Sequence, residues 1–300
     1  MLIISYKFDK IWVLSFLKIG GDIDMTKCWF DYKTVIITGA SSGIGKDLTI
    51  KLIKDHGCFV IGVARNKQKL DSLKEELAHF GHKFTYYTFD VSVEENWKEF
   101  AESLEKDNIQ PDVVINNAGV LPKFDSFEHY TVEQIKQAMD INFYSAVYSM
   151  NALLPVVLKS ETPAIVNVAS SAALCSLAGT CVYSASKAAL KSFTDAVREE
   201  VRGRCYIGLV CPGFTKTDIF RNQGKSSSKS QKAMDMISCD CQRMVKLIIN
   251  GMYRKREDMV FGMDAHFMDI GNKILGTKCS CLCSKVMKLS GLEIFESVFN

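Results

Sequence analysis

Short β-branched runs alternate with amphipathic stretches through the middle of the chain, and this alternation narrows the fold more than any other feature. Apolar strands are predicted at residues 34–39 (TVIITG), 58–64 (CFVIGVA), 83–91 (KFTYYTFDV), 112–119 (DVVINNAG), 164–170 (AIVNVAS) and 206–213 (YIGLVCPG). Helical patterns lie between them. In residues 66–81, for instance, Leu70, Leu73 and Leu77 share one stripe and Gly81 follows as a stop. Strands apolar on both faces, each followed by a helix, predict an α/β fold: a doubly wound parallel sheet flanked by helices, in a single domain. That domain is expected over residues 31–262. An N-terminal extension (1–30) precedes it and need not belong to the fold, and a C-terminal helical tail (263–300) follows.

A chain of 300 residues with 47% hydrophobic content is ample for one core. The net charge is +3 and the lysines are scattered rather than blocked, so nothing points to nucleic acid as a partner. The cysteines number 11, an odd count, and Cys58, Cys175, Cys205 and Cys211 lie in apolar segments. Reduced thiols and a cytoplasmic location are the expectation. The apolar run Ile11–Ile19 is far shorter than the roughly 20 residues of a membrane span, and Lys18 interrupts it, so no transmembrane span is expected. Residues 1–24 read either as a weak amphipathic anchor, which would give peripheral membrane contact, or as sequence upstream of a true start at Met25. A chain begun at Met25 is expected to fold and turn over like the full one. The Ser-rich stretch 224–232 predicts a mobile loop.

The first predicted strand runs directly into TGASSGIG (38–45) and then into a helix. Gly39 permits the tight turn, Gly43 lets the backbone approach a pyrophosphate, and Gly45 lets helix and strand pack closely. The helix N-terminus adds N–H donors and a positive dipole end, and the sheet becomes a Rossmann-type one. The second strand ends at Ala64–Arg65. An acidic residue there would hold a ribose 2′-hydroxyl. Ala64 has no such group, and Arg65 offers a guanidinium fork to a 2′-phosphate, the mark of NADP(H). Further on, Tyr183 and Lys187 stand at i and i+4 of a predicted helix, so phenol and ammonium share a face. A nearby positive charge favours the phenolate and makes such a tyrosine a usable proton donor and acceptor near neutral pH.

TGASSGIG, NNAG (116–119), Asn142 in MDINF, Ser170 and YSASK (183–187) together resemble the short-chain dehydrogenase/reductase family, over about residues 33–262. Ser170 stands thirteen positions before Tyr183, as the family pattern requires, which selects it over Ser171. The resemblance implies a catalytic set of Asn142, Ser170, Tyr183 and Lys187. Tyr183 would be the general acid in reduction and the general base in oxidation. Lys187 would depress its pKa, together with the charge of oxidised nicotinamide, and would bind the nicotinamide ribose. Ser170 would hold the substrate carbonyl oxygen, and Asn142 a water in a proton relay to Lys187. Besides Tyr183 and Lys187, the resemblance implies cofactor contacts at Gly39, Ser41, Ser42, Gly43, Ile44 and Gly45, and at Arg65. Asp90 and Val91 would border the adenine and Asn117 the adenosine side, with Ala118 and Gly119 also in contact with the cofactor. Pro212, Gly213, Thr215 and Thr217 would complete the site, the threonines toward the nicotinamide amide and phosphates.

The expected function is NADP(H)-dependent hydride transfer between nicotinamide and a carbonyl or secondary alcohol. Leu121, Leu174, Leu177, Phe214 and Phe220 are expected to make the substrate pocket apolar, suited to a steroid-, sphingoid- or acyl-like molecule, in a homo-oligomer. The rival is a non-catalytic dinucleotide-binding sensor or scaffold on the same fold. Cys239 with Cys241, and Cys279, Cys281 and Cys283, lack the paired spacing of a structural zinc site, so no metal is expected. In the final stretch, Val286, Leu289, Leu292, Phe295 and Phe299 fall at helical spacing. They predict an apolar stripe packed beside the substrate cleft or at a subunit contact, the alternative being a loosely attached surface helix.

Overall fold

The computed structural model describes residues 28–219 and 238–299. Residues 1–24 with the Met25 start, Phe220 and the stretch 224–232 lie outside the described residues.

Seven strands form one sheet: β1 (Thr34–Thr38), β2 (Phe59–Val63), β3 (Phe84–Tyr87), β4 (Val113–Asn116), β5 (Ala164–Val168), β6 (Tyr206–Pro212) and β7 (Asp258–Phe261). Their order is β3-β2-β1-β4-β5-β6-β7, and every neighbouring pair is parallel. Parallel neighbours need crossovers, and the chain supplies them as α1 (Gly43–His56), α2 (Lys67–Glu76), α3 (Glu94–Lys106), α4 (Val132–Met139), α5 (Ser145–Val157), α6 (Cys181–Glu200) and α7 (Cys241–Tyr253). Because strand side chains alternate, Val35 and Ile37 face one side and Ile36 the other. Val35, Ile37, Val60, Val113 and Ile115 pack against Leu48 and Leu52 of α1, Leu70 and Leu73 of α2, and Met244, Val245 and Ile248 of α7. On the opposite face Ile36, Ile61, Val114 and Ile165 meet Trp97, Phe100 and Leu104 of α3 and Met150, Leu153 and Val157 of α5. Two covered faces explain why the strands read as unbroken apolar runs. The strand order reverses between β1 and β4, which opens a crevice beyond their C-terminal ends.

Three differences from the sequence reading stand out. β7 was not among the expected strands: it is four residues long and follows the charged run 254–257, so it offers no apolar signature. The fold also starts earlier than residue 31. Cys28 and Phe30 are buried in the core, and the Trp29 indole N–H donates to the Met252 carbonyl at 2.9 Å. Finally, the stripe from Val286 to Phe299 is not one helix. The tail folds as α8 (Met263–Leu275), α9 (Lys278–Ser290), a 3-10 turn (Glu293–Phe295) and α10 (Glu296–Phe299). Gly291, at φ 59°, takes the left-handed conformation that ends α9. Val286 and Leu289 are therefore left exposed, while Leu292, Phe295 and Phe299 turn back onto Leu121, Phe124 and Tyr183.

Candidate active site

The crevice is floored by the glycine-rich turn. Gly39 and Gly43 have φ of 68° and 52°, in the left-handed region that glycine occupies freely. A Cβ on Gly45 would lie 2.4 Å from the Gly39 carbonyl oxygen, and one on Gly39 would lie 2.9 Å from Asn117 Nδ2, so neither position admits a side chain. Asn117 in turn donates its amide to the Thr38 carbonyl at 2.9 Å. The Thr38 hydroxyl accepts the backbone N–H groups of Asn117 and Ala118, each at 2.9 Å. Thr38, which the sequence reading passed over, thus clamps the end of β4 to β1. Ser42 caps α1 without a side-chain bond to its first turn, leaving N–H groups there for a ligand. Ser41, Ser42, Gly43, Lys46, Lys69 and Thr217 are among the residues around a cavity of about 480 Å³ at this end.

Arg65 and Asp90 come together at the rim. The Arg65 side chain is 59% exposed, with Nη1 3.5 Å from Asp90 Oδ2. Asp90 Oδ1 accepts the backbone N–H and hydroxyl of Ser92 at 3.0 and 2.7 Å. Burial works against its charge, but the Ser92 bonds and Arg65 hold the carboxyl below its ordinary range. Val91 is buried, and its carbonyl accepts the Trp97 indole N–H at 2.9 Å.

The second half of the site is built on α6, which places Tyr183 and Lys187 on its inner face. Both line a tight cleft of about 110 Å³, together with Ile44, Asn117, Gly119, Ser170, Pro212, Gly213, Thr215 and Thr217. Tyr183 is 9% exposed, with Ser170 as a neighbour lining the same cleft. Lys187 is 3% exposed and donates from Nζ to the Val168 carbonyl at 2.9 Å. Asn142 lies in a π-helical turn (Asp140–Tyr144) between α4 and α5, a local widening that often marks functional positions. It accepts the Val120 N–H at 2.8 Å and donates to the Val120 carbonyl at 2.9 Å and to Ser186 Oγ at 3.0 Å. A Cβ on Gly119 would meet Asn142 Oδ1 at 3.2 Å and Lys187 Nζ at 3.3 Å, so these three residues converge.

The electrostatics differ from the expectation that Lys187 depresses the phenol. Burial pushes the Tyr183 phenol up from its ordinary value, and the neighbouring Ser170 hydroxyl only opposes this. Burial also pushes the Lys187 ammonium down to about 8. With Lys187 held by the Val168 carbonyl, desolvation governs both groups.

The cleft's far wall is apolar. Leu121, Leu177 and Phe214 line it beside Phe124 and Ile219. Leu174 does not: it packs against Ala146, Leu190, Leu209 and Cys211 in a separate cluster. The tail closes this wall. Phe295 meets Phe124 edge-on at 5.4 Å, and Ser297 Oγ donates to the Phe124 carbonyl at 2.9 Å. Any Cβ on Gly179 would collide with Val298 Cγ2 at 2.4 Å. The loop after β6 is fixed by Asp264, whose Oδ2 accepts the Phe214 N–H at 2.8 Å. A Cβ on Gly213 would sit 2.1 Å from that carboxylate, which explains the glycine. Cys175, Cys279 and Cys283 also meet behind the wall, their sulfurs within 4.8 Å of one another.

A phosphate-sized cradle of glycines and helix N–H groups, joined to a buried Tyr–Lys–Ser–Asn cluster at the switch point of a parallel sheet, defines a nucleotide-binding oxidoreductase. Residues 33–228 match the family described as short chain dehydrogenase, and the chain belongs to that family, whose members bind nicotinamide cofactors. It is similar to the 11-beta-hydroxysteroid dehydrogenase-like 2 protein of Arabidopsis thaliana, with 34% identity over 224 residues covering 74% of this chain and 71% of that one. Similarity to the 3-dehydrosphinganine reductase of Danio rerio is 26% over 276 residues, covering 89% and 82% of the two chains. In fold it resembles a short-chain dehydrogenase from Streptomyces avermitilis, with a TM-score of 0.71 at 24% identity over 87% of this chain and 98% of the other.

Proposed function

We propose that the chain is an NADP(H)-dependent reductase or dehydrogenase acting on a carbonyl or secondary alcohol of an apolar substrate. The observation that carries this reading is the continuity of the two cavities. Thr217 borders both, and a Cβ on Gly43 would press on Thr217 at 3.2 Å. An elongated dinucleotide can thus lie with phosphates on the α1 turn and its far end beside Tyr183. The residues fit such a group, since Gly39, Gly43, Gly45 and Gly119 leave backbone surfaces bare where side chains would block it.

When bound, the nicotinamide supplies or takes the hydride. Ser170 and Tyr183, which line the same cleft, both reach a carbonyl oxygen placed between them and stabilise the charge that develops there. Tyr183 delivers the proton in reduction and removes it in oxidation. Lys187 holds the ribose, and Asn142, anchored by Val120 and Ser186, keeps an oxygen lone pair for a relay water. Leu121, Leu177 and Phe214 supply the apolar wall, and Phe295 backs it through Phe124. Turnover of a carbonyl panel with NADPH tests the reading; cofactor binding with no turnover across the panel would support the sensor alternative instead.

Cofactor choice is assigned to Arg65. A charge-assisted pair with a 2′-phosphate contributes about 1.5–3 kcal/mol, a preference for NADPH over NADH of about ten- to a hundredfold. Arg65→Ala should narrow that ratio of kcat/KM values, and Ala64→Asp added to it should reverse the ratio. Equal kinetics with both cofactors in the parent would remove Arg65 from this role.

The tail's part is tested by Phe295→Ala. Losing the buried ring that backs Phe124 should loosen the cleft wall and raise KM for apolar carbonyls by about tenfold. NADPH affinity should not move. An unchanged KM would show that the tail only covers the core.

A further inference from the structure

Thirteen large hydrophobic side chains are exposed among the described residues, and eight of them fall between Met263 and Leu289. On α8, Met263, Phe267, Ile270 and Ile274 follow one another at steps of four, three and four residues, which puts them on a single face. On α9, Leu282, Val286 and Leu289 do the same. Met263 is 91% exposed and Leu289 86%. The inner faces of both helices are buried as well, through Ala265 and Met268 on α8 and Cys279, Cys283 and Met287 on α9. Packing within the chain is thus satisfied by one side of each helix, and the outer apolar face needs a separate reason. None of the seven residues so placed lines either cavity described above.

Charge says what covers this face. The two helices carry four lysines, Lys273, Lys278, Lys285 and Lys288, and only two carboxylates. Asp264 is turned inward onto the Phe214 N–H, and Asp269 pairs with Lys273 at 2.7 Å. Lys278, Lys285 and Lys288 are exposed and have no carboxylate partner on either helix. A two-fold contact between these helices of two copies would bring the lysines together with no acid of either helix opposite them, and like charges so placed repel. A bilayer surface bearing anionic headgroups accepts both features at once. The apolar side chains enter the acyl boundary while the lysine ammonium groups stay at headgroup level.

We propose that the outer face of the α8–α9 pair docks on an anionic lipid surface, as an in-plane contact without a membrane span. Among the described residues no helix is long and apolar enough to cross a membrane, which agrees with an in-plane mode.

The test is co-sedimentation of the full chain with vesicles of phosphatidylcholine alone and of phosphatidylcholine with phosphatidylserine. Binding to the anionic vesicles is expected, stronger than to the neutral ones and weakened by salt. Each lysine near the surface is worth about a fivefold change in partitioning, so a triple Lys278→Gln, Lys285→Gln, Lys288→Gln variant should lose about a hundredfold at low salt. Phe267→Asp with Ile274→Asp should abolish binding with an unchanged circular dichroism spectrum, since both side chains are exposed. Failure of the parent to bind anionic vesicles would overturn the proposal. So would binding that survives the double aspartate variant, because another part of the chain would then be responsible. A parent dimer that this variant splits, with no vesicle binding by the parent, would assign the face to a second copy and overturn it equally.

Discussion

Tyr183→Phe is expected to lower turnover by about two to four orders of magnitude, the range for losing a positioned general acid. The substitution removes one oxygen from a side chain that is already packed among Leu121, Phe124, Ala172 and Phe295, so the ring should keep its place. The phenol oxygen has the Ser170 hydroxyl as a polar neighbour, so the loss within the protein is at most one hydrogen bond, about 0.5–1.5 kcal/mol of stability. Lys187, Asn142 and the glycine turn are untouched, so NADPH should bind within about threefold of the parent. Single-turnover rates with NADPH and an apolar carbonyl, beside a fluorescence titration of the cofactor, measure the two quantities separately. A variant that keeps parental turnover would show that the proton comes from elsewhere. Loss of cofactor affinity in step with turnover would show that the phenol is a binding group.

Ser170 sharpens this expectation. Its Oγ accepts the Ala172 N–H at 3.2 Å, which fixes the hydroxyl at the start of the 3-10 turn Ser171–Ala173. Proton donor and oxyanion partner are therefore held by different elements, α6 and the segment that follows β5. Removing either leaves the other in place.

Much of the core of this arrangement was legible in the sequence because it is local. A strand, a glycine turn and a helix follow one another within residues 34–56, and Tyr183 and Lys187 share a face by helical spacing alone. What the sequence hid depends on contacts between distant segments. Thr38 looks like an ordinary strand residue until β4 is laid beside β1, when its hydroxyl closes two N–H groups of the neighbouring loop. Asp264 shows no motif, and its role appears only when α8 is brought against the loop after β6. Leu174 and Leu177 are three residues apart on one segment, yet the turn after Ser170 sends them into separate clusters. Helical spacing in the tail extended the stripe past Gly291, although a glycine there could have been read as a stop. The opposite direction of the Tyr183 pKa has a similar origin: the sequence pairs it with a charge, whereas burial of both groups can be seen only in the fold.

The same burial sets the second large effect, on Lys187. Lys187→Met should lose both turnover and NADPH affinity, because the lysine is assigned to the ribose and so to the placing of the nicotinamide, while the protein becomes no less stable. The ammonium is almost fully enclosed with the Val168 carbonyl as its hydrogen-bond acceptor, and burial lowers its pKa from 10.5 to about 8. A depressed lysine pKa means that the unfolded chain holds more protons than the folded one between these two values. Stability from this group therefore rises as pH goes from about 8 to 10.5, and below about 8 the penalty is constant, at about 3 kcal/mol. Methionine carries no such penalty and fills similar space, and it forfeits one hydrogen bond to a charged group, worth about 1.5–3 kcal/mol. At pH 7 the variant should then melt at or above the parent's Tm, and the difference should shift in the parent's favour as pH rises toward 10. Thermal melts of both proteins across that range read the sign directly. A variant that melts far below the parent at pH 7, or one whose relative stability improves with rising pH, would show that the ammonium stabilises the fold. Catalysis would then not be what keeps a charge in this position.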